Sequence, residues 1–169
     1  EVCCFGSGTM RPEFHAPYGN PYPIETALFT LRNHPARMEI TRSLFETAVQ
    51  CEEAFDFYGT LGSYQTIGRP TLFTEIAPLR KTGEERAIKT TTLPWRWRPD
   101  LLPEELRGKA EDCHGGSHAF LANEFVRSIV EGRPPYIHAA RAANWCAAGI
   151  SAHQSAMQEG AKLKVRLFT

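Results

Sequence analysis

The feature that most constrains the fold is an alanine-rich segment at residues 139–158. Alanine is the strongest helix former, so this composition predicts a long helix, and Gly160 supplies its stop. Small side chains let a neighbouring backbone approach closely, so we expect this helix to be tightly packed. The small residues are Ala139, Ala140, Ala142, Ala143, Ala147, Ala148, Gly149, Ala152 and Ala156.

A second helix is predicted just before it, at residues 117–131. Leu121, Phe125 and Ile129 recur every four residues and form one apolar face, and Ser117 is suited to cap the first turn. Gly132 and two prolines at 134–135 then end the helix. The order is therefore helix, rigid elbow, helix, followed by a predicted last strand at residues 163–168.

The amino-terminal part is predicted to be mostly strands. Four proline residues between 9 and 23 predict an irregular loop there. Strands followed by helices indicate an α+β fold, a mainly antiparallel open sheet with both helices packed on one face. The predicted strands lie at residues 1–5, 24–31, 36–47, 53–58, 63–66 and 71–76.

Length and charge narrow the functional classes. The 169 residues suffice for one domain, and 19 basic residues balance 19 acidic ones. A balanced charge argues against a nucleic-acid surface, and no apolar run approaches the ~20 residues of a membrane span. Five cysteines at irregular spacings suit a reducing compartment, so we expect a cytoplasmic protein.

Two groups of residues are candidates for ligand binding. His114 and His118 flank a Gly-Gly turn before a predicted helix, whose free amides favour anions and hydroxyl-rich ligands. Tyr18, Asn20 and Tyr22 lie in the proline-rich loop, where they either reach a polyol or pack beneath the loop.

Cys113, His114 and His118 are also possible zinc ligands, but the sequence offers no fourth ligand at a suitable spacing. We therefore predict no metal site.

Two further patterns remain open or weak. Arg42, on a predicted strand, is an ion-pair partner, a ligand clamp or a solvated edge residue. Ser151, His153 and Ser155 imitate a nucleophile and its base, but helix residues two apart do not face each other. A hydrolase triad is therefore not expected.

Five motifs together resemble the C-terminal half of the glucose–fructose oxidoreductase / inositol dehydrogenase (Gfo/Idh/MocA) family. They are His-Gly-Gly at 114–116, Glu-Gly-Arg-Pro-Pro at 131–135, the small-residue run at 147–156, the last strand at 163–167, and a strand–turn–strand at 57–63. They occur in the family's order.

The resemblance implies a fold similar to the C-terminal domain of glyceraldehyde-3-phosphate dehydrogenase. It also implies a single substrate-binding and oligomerisation domain, residues 1–169, of an NAD(P)-dependent oxidoreductase that acts on a sugar, polyol or derivative. Its partners would be that substrate, a dinucleotide-binding (Rossmann) domain absent from this chain, and further copies joined through the sheet face away from the helices. Nucleic acid and membrane are not expected partners.

The family's catalytic motifs, Glu-Lys-Pro and Asp-x-x-x-His, do not occur in this chain, so its catalytic residues stay unassigned. Gly6 and Gly8 lack the third glycine of a dinucleotide loop, because Arg11 stands there. We expect no NAD or NADP binding, and no activity, by this chain alone. The alternatives are an NAD-assisted glycosidase of the same fold and a non-catalytic interaction or scaffold domain.

Overall fold

The computed structural model describes residues 1–43, 53–66, 71–76, 87–93, 98–108 and 116–169. The chain divides into two compact units, Glu1–Cys51 with Glu131–Thr169, and Glu52–Val130. Both units contain helices and antiparallel open sheets, which confirms the predicted α+β class. The sequence analysis expected one sheet carrying both long helices, whereas the structure has two sheets and places one long helix in each unit.

The first unit is built on a three-stranded antiparallel sheet. Its register aligns Cys4 with Ala27, and Ala27 with Ile40. Side chains alternate between the two faces of a strand, so these three residues share one face. The strands, in their order across the sheet, are β1 (Val2–Ser7), β2 (Ile24–Thr30) and β3 (Arg37–Ser43).

A short helix, α1 (Pro12–Tyr18), occupies part of the segment that was predicted to be an irregular loop. That prediction is wrong here because Pro12 occupies the first helical position, where its missing N–H is not needed, and Pro17 lies one residue before the end of the helix. Gly19 ends the helix with a φ of 68°, and its N–H donates to the carbonyl of His15. Proline density alone therefore did not distinguish a loop from a one-to-two-turn helix.

The alanine-rich helix, α4 (Ala139–Ala156), packs on β1 and β2. Its buried Ala152 and Ala156 meet Val2, Cys4, Ala27 and Phe29 in one hydrophobic core. The predicted tight packing is confirmed, since small side chains are what α4 presents to the sheet. The helix ends two residues before the predicted position 158.

Ser155 joins α4 to the outer edge of β1. Its hydroxyl is completely buried, accepts the N–H of Cys4 at 2.9 Å and donates to the carbonyl of Ala161 at 2.6 Å. Val2 and Leu163 exchange two backbone hydrogen bonds of 2.9 Å along the same edge. On the side of β1 that points away from β2, both backbone groups of Val2 and the N–H of Cys4 are thus paired.

The predicted strand at residues 163–168 is reduced to a single bridge between Val2 and Leu163. The prediction is wrong beyond Leu163, because the residues that follow it form no backbone pairing with a described strand. Asn144 holds the tail instead, accepting the N–H of Phe168 at 2.7 Å and donating to its carbonyl at 3.0 Å.

The second unit contains a four-stranded antiparallel meander and two helices. In the tight turn between its first two strands, the N–H of Gly59 donates to the carbonyl of Gly62. The elements are β4 (Asp56–Tyr58), β5 (Gly62–Gln65), β6 (Leu72–Ile76), β7 (Ile88–Thr92), a 3₁₀ turn (Pro99–Leu101), α2 (Glu104–Arg107) and α3 (Ser117–Val130).

Helix α3 begins at the predicted Ser117, and its predicted apolar face is exposed: Leu121, Phe125 and Ile129 each expose more than half of their surface.

In the part of the chain that the structure describes, no helix combines the length and the hydropathy needed to cross a bilayer.

Candidate functional site

A cleft lies between α4 and β3 in the first unit. Helix α4 covers β1 and β2, whereas every residue of β3 is exposed. The uncovered part of the sheet face and the flank of α4 enclose a space of about 560 Å³, within the range of small-molecule sites. We call it the α4–β3 cleft; among its lining residues are Ile40, Arg42, Trp145, Gly149 and His153.

A buried carboxylate, Glu25, is the centre of the polar side of this cleft. Its Oε1 lies 2.7 Å from Nδ1 of His153, and its Oε2 lies 3.4 Å from a guanidinium nitrogen of Arg42. The residue is only 9% exposed, so both oxygens need protein partners. We call these three residues the Glu25 cluster.

The strand register and the helix period bring the three side chains together. Glu25 alternates in phase with the buried Ala27 and Phe29, so it points to the α4 side of β2. Arg42 is its direct cross-strand neighbour on β3. His153 arrives from α4, on the flank of the helix that lines the cleft.

Aromatic side chains border the same cleft. Trp145 and Tyr18 both line it and expose 58% and 71% of their surfaces. Asn20 also lines the cleft, and its Oδ1 accepts the N–H of Tyr22 at 2.9 Å. The cleft therefore combines flat apolar rings with a small number of placed polar groups.

The thiol of Cys4 lines the cleft but is not a candidate nucleophile. Burial raises the pKa of Cys4, the charge of Glu25 raises it further, and Arg42 opposes that increase. A raised pKa keeps the thiol protonated at neutral pH, and the thiolate is the reactive form. The residue is also fully buried, so we assign it to packing.

Gly149 has no side chain, so the cleft wall between Trp145 and His153 contains a gap at this position. The three residues follow each other every four positions and form one stripe along α4. A Cβ built on Gly149 meets no atom within 4 Å, so no neighbour in the described chain requires a glycine there. The missing side chain at Gly149 therefore widens the cleft on the α4 side.

We expect Gly149→Ala to raise the free energy of unfolding by about 0.5–1 kcal/mol, because alanine loses less backbone entropy in a helix and meets no clash. Gly160→Ala is the matched comparison. Its φ of 84° and the clash of an added Cβ with the ring of Phe5 should make that change destabilising by about 1–3 kcal/mol. Urea denaturation followed by circular dichroism measures both; a loss of stability in Gly149→Ala would contradict the prediction.

The structure separates the candidate binding residues. Tyr18 and Asn20 line the cleft, whereas Tyr22 packs against the core with its ring over Gly6. His118 is exposed in the first turn of α3, in the other unit. His114 lies outside the described residues. The three loop residues therefore have two different roles, one of which is packing.

The structure also shows the partners of His153 and Ser155, which resemble a catalytic Ser-His pair in the sequence of α4. His153 turns to Glu25, and Ser155 turns to the backbone of Cys4, so the two side chains point to different partners. Among the described residues, no three His, Cys, Asp or Glu side chains are placed to hold a metal ion. The described cysteines Cys3, Cys4 and Cys146 are free thiols.

The sequence analysis did not name Glu25 or Trp145 as candidate site residues. It discussed His153 and Arg42, but it did not predict that they contact Glu25. One signal was present in β2, where Glu25 occupies the apolar phase of an alternating strand. A carboxylate in that phase has to be buried with partners, and partners of this kind are a mark of functional sites.

Comparison with known proteins gives no further constraint: no family model, no curated protein and no solved structure matches this chain.

Proposed function

We propose that the first unit binds a sugar, a polyol or a derivative in the α4–β3 cleft, as the substrate-binding part of an NAD(P)-dependent oxidoreductase. The observation that carries this proposal is the Glu25 cluster, a buried carboxylate held by an imidazole and a guanidinium in the wall of an open cleft. Placed polar groups in a mainly apolar cleft are the usual composition of a small-molecule site.

The aromatic border favours a hydroxylated ring as the ligand. The faces of Trp145 and Tyr18 are suited to pack on the C–H face of a sugar, while its hydroxyls meet polar side chains. A purely apolar ligand would make no use of the guanidinium donors of Arg42 that Glu25 does not engage.

The oxidoreductase part of the proposal depends on the five motifs that resemble the Gfo/Idh/MocA family. Hydride transfer requires a nicotinamide held beside the substrate, and a separate dinucleotide-binding domain would supply it. The three free cysteines that the structure describes are compatible with the cytoplasmic location that we propose.

Titration of the chain, followed by the amide resonances of ¹⁵N-labelled protein, tests the binding. The panel contains hexoses, pentoses, inositols and sugar acids. We expect shifts at Ala148, Gly149 and Ala152, which line the cleft. Calorimetry with NAD(H) and NADP(H) should show no micromolar binding. If no sugar moves the cleft resonances, or the chain alone binds dinucleotide tightly, the proposal fails.

We also propose that copies of the chain associate through the sheet face opposite α4. That face exposes Phe5 and Leu28, with 63% and 52% of their surfaces accessible, around a hydrogen bond of 3.1 Å between the hydroxyls of Thr26 and Thr41. A two-fold interface needs a self-complementary patch, and a mixed apolar and hydroxyl face is suitable for one.

Leu28→Glu should reduce the oligomer to monomer, as measured by light scattering coupled to size exclusion, because it places charges at the centre of the proposed interface. Ile150→Glu is the control, since Ile150 is similarly exposed but lines the cleft. A wild-type chain that is monomeric at tens of micromolar would refute the association. Phe45 falls within the predicted strand at residues 36–47, on the side that we expect to face a partner, and lies outside the described residues.

A further inference from the structure

The hydrogen-bonding capacity that remains in the α4–β3 cleft consists mostly of donors. Both oxygens of Glu25 have protein partners, and only 10% of its side chain is exposed. The carboxylate is therefore a support for its neighbours and offers little to a ligand. The hydrogen bonds available to a ligand therefore come from the polar groups that surround Glu25.

Arg42 is the strongest of these groups. Its one contact among the described residues is the 3.4 Å approach to Glu25, and 42% of its side chain is exposed. A guanidinium has five N–H donors in a planar fork and no acceptor. The donors that Glu25 does not use are available on the cleft side, in the arrangement that binds a carboxylate through two parallel hydrogen bonds.

The other polar groups add to the same imbalance. The Oδ1 of Asn20 is occupied by the N–H of Tyr22, which leaves its amide N–H groups as donors. The indole of Trp145 has a donor and no acceptor. Acceptors are fewer. Nε2 of His153 accepts a hydrogen bond when Nδ1 carries the proton toward Glu25, and the hydroxyl of Tyr18 and the second lone pair of the Asn20 Oδ1 complete the set.

The surroundings strengthen a charged contact. Ala27, Ile40 and Ile150 form apolar walls beside the Glu25 cluster. Hydrogen bonds between charged groups are stronger where water is partly excluded. Glu25 and Arg42 together carry no net charge, so a ligand anion on the free side of the guanidinium is not opposed by an excess of negative charge.

We propose that the ligand of this cleft is a sugar acid, whose carboxylate is bound by Arg42 and whose neighbouring hydroxyl donates to Nε2 of His153. The inference rests on the proposed function, because it specifies the substrate class of the same cleft. Glu25 is a positioning residue in this arrangement, since it orients both side chains and does not itself contact the ligand.

The test compares D-glucuronate with D-glucose, which share a pyranose ring and differ in the carboxylate. Each is titrated into the ¹⁵N-labelled chain at millimolar concentrations, and dissociation constants come from the resonances of Ala148, Gly149 and Ala152. We expect glucuronate to bind at least about tenfold more tightly, as one charge-assisted, two-point contact provides.

Arg42→Gln should abolish this preference and leave the weaker sugar binding. Arg37→Gln is the matched control on the same strand, because the Arg37 guanidinium donates to the carbonyls of Pro35 and Ala36, away from the cleft. Arg42→Lys keeps the charge without the fork, and should retain part of the preference. If Arg42→Gln does not fold, the wild-type comparison and Arg42→Lys still decide the matter.

Each outcome has one meaning. Preference for glucuronate that depends on Arg42 supports the inference. Equal binding of both sugars, or preference for glucose, overturns the inference and leaves the proposed function intact. Absence of shifts with both sugars, and with the rest of the panel, overturns both.

Discussion

Ser155→Ala is expected to lower the free energy of unfolding by about 2–3 kcal/mol. The hydroxyl has no exposure to solvent and satisfies the N–H of Cys4 and the carbonyl of Ala161. Its removal leaves both backbone groups unpaired, and a buried polar group without a partner costs about 1–3 kcal/mol. The carbonyl of Ala161 is only half-buried, so its share should be the smaller one.

Ser151→Ala is the matched control for this change. Ser151 is buried on the same helix, one turn earlier, and makes no side-chain hydrogen bond to a described residue. Urea denaturation should therefore show a small effect at 151 and a large one at 155. Hydrogen exchange gives a local readout, since the amide of Cys4 should lose protection in Ser155→Ala alone. Equal losses in both variants would show that the hydrogen bonds contribute nothing specific.

Glu25→Ala is the second change with a large expected effect, a destabilisation of about 2–3 kcal/mol. The carboxylate is buried, and its loss leaves Nδ1 of His153 and the guanidinium of Arg42 without their partner. Removing one member of a buried ion pair costs about 3–5 kcal/mol, and the partial exposure of the two remaining side chains reduces that figure here.

A double-mutant cycle with His153→Ala isolates the central hydrogen bond. We expect a coupling energy of about 1–2 kcal/mol between Glu25 and His153, since they contact each other directly. Glu39→Ala is the control, because Glu39 is exposed on the opposite face of the sheet and should change stability by less than about 0.5 kcal/mol. A coupling energy near zero would mean that the Glu25 cluster is not an energetic unit.

Local sequence patterns predicted the helices well. The start of α3 at residue 117 and the packing of α4 were both predicted from short-range signals, although the structure has Ser117 inside the first helical turn and the predicted cap stays a prediction. The strands of the first sheet were also located, because alternation is a property of consecutive residues. These features need no knowledge of which distant segments meet.

Apart from the short helix α1, the features that were missed depend on distant contacts. The strand predicted after Leu163 needed a partner, and the register of the bridge to Val2 determines where pairing stops. The Glu25 cluster joins residues 25, 42 and 153, whose meeting depends on strand order and on the rotation of α4. Glu25 alone carried a local sign of burial, and nothing local named its partners.

The division of the chain into two units was also missed, because it too depends on which distant segments meet. The apolar face of α3 predicts a buried surface, yet a periodic pattern gives no information about which sheet a helix belongs to. His118 lies on that helix, in the second unit, whereas Tyr18 and Asn20 belong to the first, so its proposed part in binding stays a prediction.

The hydrogen bonds of Ser155 and Leu163 also have a consequence for self-assembly. An unpaired strand edge is a template on which a foreign strand can add, and such addition leads to aggregates. At β1 this template is partly blocked, since both backbone groups of Val2 and the N–H of Cys4 already have partners on that side. In this three-stranded sheet the opposite edge is the outer side of β3, and Arg37, Glu39 and Arg42 place alternating charges along it. Repulsion and desolvation of these charges would discourage a further strand, so the sheet resists growth in both directions by two different means.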